Sequence, residues 1–172
     1  MHKGFTLIEL LIVVAIIGIL AAVGAAVIPG ILLKTKVTAS NAQFNKTIKD
    51  IKLEILKCEI DPSAKIEHKS YPGGTIYNMS CNQFNEGGLM DWYAPGKCSD
   101  MYYSNEYKSP FGPFASGGGM GEETCGSGNG NPSTNEGVFH LQGKNSNNGN
   151  GCIIVSMPLQ NEVLKKVVCQ QN

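Results

Sequence analysis

An acidic residue stands at the head of a long apolar segment. Glu9 is followed by a run without any charged residue that extends from Leu10 to Leu33. As a helix this run would be about 36 Å long, and a bilayer core is about 30 Å thick. A carboxylate in hydrocarbon costs free energy unless a partner compensates it. Glu9 therefore needs a cation or a specific role.

The Gly4–Phe5 peptide bond is a possible source of that cation. A cut there would place the new α-amino group of Phe5 about one helical turn from Glu9. Within one chain this pairing is strained at a helix end, whereas a second copy displaced by one turn could bring its ammonium group beside Glu9 in a dry interior. We expect Phe5 and Glu9 to set the register between copies.

A secretory signal is cut after its apolar core. Here the apolar run follows the expected cut, so it would stay on the protein.

The N-terminal sequence is similar to that of a known family. The segment that begins Lys3-Gly4-Phe5-Thr6-Leu7-Ile8-Glu9 and continues to Ala22 closely resembles the start of type IV pilins and pseudopilins. The resemblance implies that prepilin peptidase removes residues 1–4 as a leader and methylates Phe5. It also implies storage in the inner membrane, contact with the inner-membrane assembly machinery, and polymerisation into an extracellular filament. The alternative is an ordinary uncleaved anchor.

A proline lies within the apolar segment. Members of the family carry a helix-breaking proline soon after this segment, and Pro29 corresponds to it only if three residues are inserted around Val23 to Ala26. Pro29 and Gly30 both weaken a helix. The resemblance implies a helix break here that melts on assembly, and the alternative is a simple bend.

Six widely spaced cysteines indicate disulfides. They form no C-x-x-C pair, whereas a zinc site requires close ligand pairs, and an even number in an exported domain is typical of an oxidising compartment. This places the C-terminal part outside the cytoplasm. The six are Cys58, Cys81, Cys98, Cys125, Cys152 and Cys169.

The helical pattern changes after the apolar run. From residue 34 to residue 60, apolar residues recur at steps of three and four, which is typical of an amphipathic helix with one stripe facing a domain. The Asp61-Pro62 pair should end it. We expect one helix from about 5 to 60, with residues 5–33 serving the membrane and the filament core. The stripe comprises Phe44, Ile48, Ile51, Ile55 and Cys58.

The remaining residues, 61–172, are expected to form a disulfide-rich globular β domain. Between Cys58 and Cys98 we predict an irregular connection with short strands at most. A late antiparallel sheet follows, and a symmetric turn between Leu159 and Glu162 puts Cys152 opposite Cys169, our preferred disulfide. The fold class is α+β, and the order of elements is that of the pilin fold. The predicted strands are Thr75–Ser80, Leu89–Tyr93, Gly137–Gln142, Cys152–Met157 and Val163–Cys169.

Two segments dense in Gly, Asn and Ser, residues 116–130 and 144–151, are predicted to be exposed loops. They could form a variable filament surface that contacts other cells, or they could be plain connections.

Other chemistry has little support in the sequence. The 14 basic residues are all lysines, they balance 14 acidic residues, and the absence of arginine argues against nucleic-acid binding. No catalytic motif occurs, so we predict no enzyme. We expect no metal or other cofactor; scattered carboxylates could bind calcium, but solvated side chains are the favoured interpretation and no EF-hand is present. These carboxylates are Asp91, Asp100, Glu106, Glu122 and Glu123.

The resulting hypothesis is a major pilin, the structural subunit of a type IV pilus that serves adhesion, motility or DNA uptake. One alternative is a pseudopilin of a type II secretion system. A second, from another class, is a monomeric membrane-anchored extracellular binding domain, which would keep Met1 and would not depend on Glu9.

Overall fold

The computed structural model describes residues 5–69, 76–81, 90–103, 107, 109–111, 125–127, 136–145 and 151–169. A long helix comes first and an antiparallel sheet forms late in the chain, which confirms the α+β class. The elements in chain order are α1 (Leu7–Ile60), β1 (Lys65–Lys69), β2 (Ile76–Ser80), α2 (Met90–Tyr103), β3 (Cys125–Ser127), β4 (Phe139–Asn145), β5 (Gly151–Leu159) and β6 (Glu162–Cys169).

The chain divides into two compact units, Met1–Thr38 and Ala39–Asn172. α1, whose first half forms the first unit, is long and apolar enough to cross a membrane. None of the described side chains from residue 5 to residue 38 is buried. This half of the helix is held by its own backbone hydrogen bonds, which suit a lipid environment because they leave few polar groups unpaired.

Pro29 and Gly30, where a helix break is predicted, both lie inside α1. The helix continues through both residues in the single chain, and the helix break stays a prediction. A proline removes one hydrogen bond and costs about 3 kcal/mol in a helix interior, and the cooperative turns on both sides of Pro29 retain the helix. Melting during assembly stays a prediction.

The second unit contains the amphipathic part of α1. Its buried side chains include the whole predicted stripe, from Phe44 to Cys58. The Phe44 and Phe139 rings stack with centroids 6.3 Å apart, so the stripe packs on β4.

The helix ends at Ile60, as the Asp61-Pro62 pair predicts. There the Ser63 amide and hydroxyl donate to Asp61 Oδ1 at 2.9 and 2.6 Å, which holds the pKa of Asp61 below its ordinary value.

The main sheet has the strand order β3-β4-β5-β6. β4, β5 and β6 form the predicted antiparallel meander, and alternate residues of β5 are fully buried at Ile153, Val155 and Met157. β3 differs from the prediction in two respects. It lies within segment 116–130, predicted to be a loop, and it pairs with β4 in parallel. A strand of three residues is too short to give a recognisable strand pattern in the sequence. It forms because the tertiary structure places this segment beside β4.

Helix α2 corrects a second prediction. Leu89–Tyr93 is predicted to be a strand, but the helix begins at Met90, and Leu89 lies outside the described residues. Pro95 and Gly96 are poor helix formers, so the helical pattern of this segment was not recognisable in the sequence. A helical stripe is nevertheless present, because Tyr93, Lys97, Cys98 and Met101 are all buried. Packing of α2 against β1, β3 and β4 overrides the local propensity.

The connection between Cys58 and Cys98 is more regular than predicted. β2 corresponds to the predicted strand from Thr75 to Ser80, but its antiparallel partner β1 was not predicted. β1 alternates buried Ile66 and His68 with exposed charged residues, a pattern too short and too polar to stand out.

In segment 144–151, which is predicted to be a loop, residues 144, 145 and 151 instead extend β4 and β5. Residues 146–150 lie outside the described part.

Candidate functional site

The N-terminus of α1 is closed by a reciprocal hydrogen-bond pattern between Thr6 and Glu9. The Thr6 amide and hydroxyl donate to Glu9 Oε2 at 2.9 and 2.7 Å, and the Glu9 amide donates to Thr6 Oγ1 at 3.3 Å. This is a capping box, in which an N-cap threonine and a glutamate three residues later satisfy amides that the first helical turn leaves unpaired. The sequence contains the signal for this capping box, Thr6-Leu7-Ile8-Glu9, which the sequence analysis did not identify.

The capping box reduces the free-energy cost of the Glu9 carboxylate beside the apolar run. Its carboxylate already has two donors within its own chain, so part of the cost of placing it beside an apolar run is offset locally. Phe5 is 85% exposed, and Gly4 lies outside the described residues. An ion pair between Glu9 and the Phe5 ammonium group of a second copy involves two chains and stays a prediction.

The apolar run presents a continuous uncovered surface. From Leu7 to Leu33, the large aliphatic side chains are between 45% and 82% exposed. A soluble monomer rarely exposes a contiguous apolar surface of this extent. Lipid or other protein chains must therefore cover it.

Among the described residues, the Cys58–Cys81 and Cys152–Cys169 disulfides fasten the second unit. Cys58, on the buried stripe of α1, is bonded to Cys81, which directly follows β2. Cys152 and Cys169 face each other across β5 and β6 and are also bonded, in the register that the symmetric turn predicts. Cys98 is disulfide-bonded as well, and the side chain of Cys125 lies outside the described part. The first bridge ties the end of the helix to the domain.

Acidic residues of α1 are held by side chains of the domain. Glu54 accepts hydrogen bonds from the Tyr93 hydroxyl and, at 2.5 Å, from the Lys97 ammonium group. Asp50 accepts one from the Tyr107 hydroxyl. Burial, together with the Glu54 carboxylate, raises the pKa of Tyr93 well above its ordinary value. The Glu54 contacts join α1 to α2, and the Asp50 contact joins α1 to Tyr107, which follows α2 in the chain.

The two histidines that the structure describes, His68 and His140, are both buried. His68 is 1% exposed, and its Nδ1 lies 2.6 Å from Asp100 Oδ2. Its ring meets the Tyr93 ring edge to face, with centroids 5.4 Å apart. His140 lies buried in β4, and burial lowers its pKa. The His68–Asp100 pair therefore joins β1 to α2.

The predicted calcium candidates are not assembled into a site in the described part of the chain. Asp100 is paired with His68, and no group of three or more potential metal ligands occurs among the described residues. The side chain of Asp91 and residues 106, 122 and 123 lie outside that part.

One comparison with known protein families identifies the N-terminal segment. Residues 1–25 match the family model for the prokaryotic N-terminal methylation motif. No curated protein and no solved structure matches the chain. The match covers the capping box and most of the uncovered apolar helix, so this chain carries at its N-terminus the methylation motif that is the signature of the type IV pilin and prepilin family.

Proposed function

We propose that the chain is the major structural subunit of a type IV pilus. Prepilin peptidase cuts it after Gly4 and methylates Phe5, and the subunits polymerise through the first half of α1. The observation that carries the proposal is the uncovered aliphatic surface of α1 from Leu7 to Leu33, most of which lies within the methylation motif. That surface suits lipid while the precursor is stored and other copies once it assembles.

The second unit supports an extracellular destination. The disulfides of Cys58 with Cys81 and of Cys152 with Cys169 are stable in an oxidising compartment. An exposed filament subunit benefits from such bridges, because each of them restricts the unfolded chain.

Mass spectrometry of filaments sheared from cells tests the processing step. We expect a terminal peptide that begins with N-methylated Phe5. An intact Met1 terminus on an abundant cell-surface protein would instead favour the permanently anchored binding domain.

Two substitutions of Glu9 distinguish the role of its negative charge from its role in capping the helix. Glu9→Gln keeps a side-chain oxygen for the Thr6 amide but loses the negative charge, whereas Glu9→Ala loses both. We expect neither variant to yield filaments, because both lack the counter-charge for a neighbouring Phe5 ammonium group. Precursor level and disulfide formation serve as folding controls. Normal filaments from Glu9→Gln would show that the cap, and not the charge, is what assembly needs.

Deletion of the gene distinguishes the pilus from a secretion pseudopilus. We expect the loss of surface filaments with normal export of other proteins. The opposite result, intact surface filaments and blocked protein export, would identify a pseudopilin.

A further inference from the structure

An open cleft lies between the last turns of α1 and the β1–β2 pair. Its volume is about 510 Å³, which is within the range of small-molecule sites in proteins. All of its described lining belongs to the second unit. The lining residues are Glu54, Lys57, Lys65, Ile66, Glu67 and Asn78.

The two walls of the cleft are fastened to each other. Lys57, on α1, donates from Nζ to the carbonyl oxygen of Lys65, on β1, at 2.7 Å. Cys58 directly follows Lys57, and its disulfide with Cys81 joins α1 to the end of β2. The cleft is therefore formed before any ligand binds, which reduces the entropy that binding costs.

Glu54 contributes little negative charge to the cleft. Its carboxylate accepts hydrogen bonds from the Lys97 ammonium group at 2.5 Å and from the Tyr93 hydroxyl. Lys97 is itself 7% exposed, so its positive charge is committed to Glu54.

The remaining charges of the described lining favour an anion. Lys57 and Lys65 are both exposed and supply two ammonium groups, against the single carboxylate of exposed Glu67. The neighbouring acids Glu59 and Asp61 are not among the described residues that line the cleft. A ligand with one negative charge would thus meet an excess of positive charge.

The same cleft also suits hydroxyl groups. Glu67 and Asn78 are partners in the β1–β2 register, and both side chains are exposed. A carboxylate only accepts hydrogen bonds, whereas a carboxamide donates and accepts. Two neighbouring hydroxyls of a sugar ring satisfy such a pair. A fully ionised phosphate does not, because it has no hydrogen to donate to Glu67.

We propose that the cleft binds a hexuronate unit of an acidic polysaccharide, with the sugar carboxylate against Lys57 and Lys65 and ring hydroxyls against Glu67 and Asn78. Among the described lining residues Ile66 is the single apolar one, so an apolar ligand has little to contact. An acidic peptide would match the lysines but leave Glu67 without a donor.

This inference does not depend on the proposed function. A chain that stayed in the membrane as an anchored domain would bind the sugar as well. In a filament the cleft would recur on every subunit, and a polysaccharide that contacts several copies would be held by multivalent binding.

Titration of the isotope-labelled full chain in non-ionic detergent micelles tests the site, with backbone amide chemical shifts as the readout. The probe is digalacturonate. We expect a Kd below about 1 mM, with shifts concentrated at the described residues of the cleft. The neutral disaccharide galactobiose has the same rings without carboxylates, and we expect it to bind about tenfold more weakly.

Two variants separate the charge from the hydroxyl contacts. Lys65→Gln should weaken digalacturonate about tenfold and leave galactobiose unchanged, so that the preference for the acid is lost. Asn78→Val should weaken both sugars alike, because it removes hydrogen bonds to hydroxyls that both sugars carry. Lys166→Gln, which removes an exposed lysine on β6, is the matched control and should bind like the wild type. An intact Cys58–Cys81 disulfide and unchanged amide shifts in β4 and β5 show that each variant is folded.

Several results would overturn the proposal. One is a wild-type titration with no localised shifts at about 10 mM digalacturonate. Another is equal affinity for succinate, which carries carboxylates without ring hydroxyls, since the cleft would then be an unspecific anion site. Tighter binding of triglutamate than of digalacturonate would assign the cleft to acidic peptides. A loss in Lys166→Gln as large as that in Lys65→Gln would mean diffuse attraction to lysines. None of these results bears on the pilus, which the N-terminus at Phe5 tests separately.

Discussion

Thr6 donates both its amide and its hydroxyl hydrogen to one oxygen of Glu9, at 2.9 and 2.7 Å. Glu9 thus has a role within its own chain before any second copy approaches. The same carboxylate closes the first helical turn and remains close to Phe5, whose amino group a cut after Gly4 would expose. Capping within the chain and pairing between chains are compatible, because a carboxylate can accept several hydrogen bonds.

Thr6→Ala should loosen the first turn of α1. The substitution removes the hydroxyl that donates to Glu9 and accepts from its amide, and the loss of an N-cap costs about 1 kcal/mol. We expect amide hydrogen exchange at residues 7–10 to be about fivefold faster in detergent micelles. Thr6→Ser keeps the hydroxyl and should exchange like the wild type. Equal rates for Thr6→Ala and the wild type would mean that the capping box contributes nothing to the turn.

The turn between β5 and β6 should be improved by glycine. Gln160 and Asn161 have positive φ angles of 48° and 63°, as a type I′ turn requires, and the second position of this turn favours glycine. We expect Asn161→Gly to raise the free energy of unfolding by about 0.5 kcal/mol, and Asn161→Val to lower it by about 1 kcal/mol or more. Urea unfolding of the full chain in micelles measures both. A more stable Asn161→Val variant would contradict the turn assignment.

Lys97→Met should destabilise the second unit. Lys97 is 7% exposed, and its ammonium group compensates the Glu54 carboxylate at 2.5 Å. Methionine keeps most of the stem but leaves Glu54 short of a donor, at an expected cost of about 1 to 3 kcal/mol. The double variant Lys97→Met/Glu54→Gln should lose less stability, because the uncompensated charge is gone. Urea unfolding would refute the argument if the double variant were the less stable of the two.

His140 should make the second unit less stable in acid. Burial lowers the pKa of His140 in the folded chain, so as the pH falls through about 6.5 the unfolded chain takes up a proton first. The stabilising contribution is complete above that pH and declines below it, by at most about 1.4 kcal/mol per pH unit for one proton. We expect the wild type to lose more stability between pH 7.5 and pH 5 than His140→Gln does. Parallel pH profiles for the two proteins would exclude His140 as the cause.

Elements with long or symmetric patterns were predictable. The apolar run and the stripe from Phe44 to Cys58 each extend over several turns, so the period of the helix is evident in the sequence. The late hairpin was predictable because Gln160 and Asn161 form a short turn, and a short turn fixes the register of both strands back to Cys152 and Cys169.

β1, β3 and α2 were not predictable. β1 and β3 have five and three residues, and α2 contains Pro95 and Gly96, which oppose a helix locally. Each of these elements exists because it packs on a neighbour that is distant in sequence. The capping box was available in the sequence, whereas the engagement of Glu54 by Tyr93 and Lys97 was not, since it joins residues about forty positions apart.

The sequence by itself determined the methylation motif, the membrane-length helix and the position of Glu9, because each of these depends on neighbouring residues along one helix. Only the tertiary structure decided which acidic residues of α1 the domain engages, that Cys58 pairs with Cys81, and that Leu53, Leu56 and Ile60 stay exposed. The physical reason is that burial and pairing depend on contacts between distant segments, and helical periodicity alone does not reveal which of two apolar stripes the domain covers.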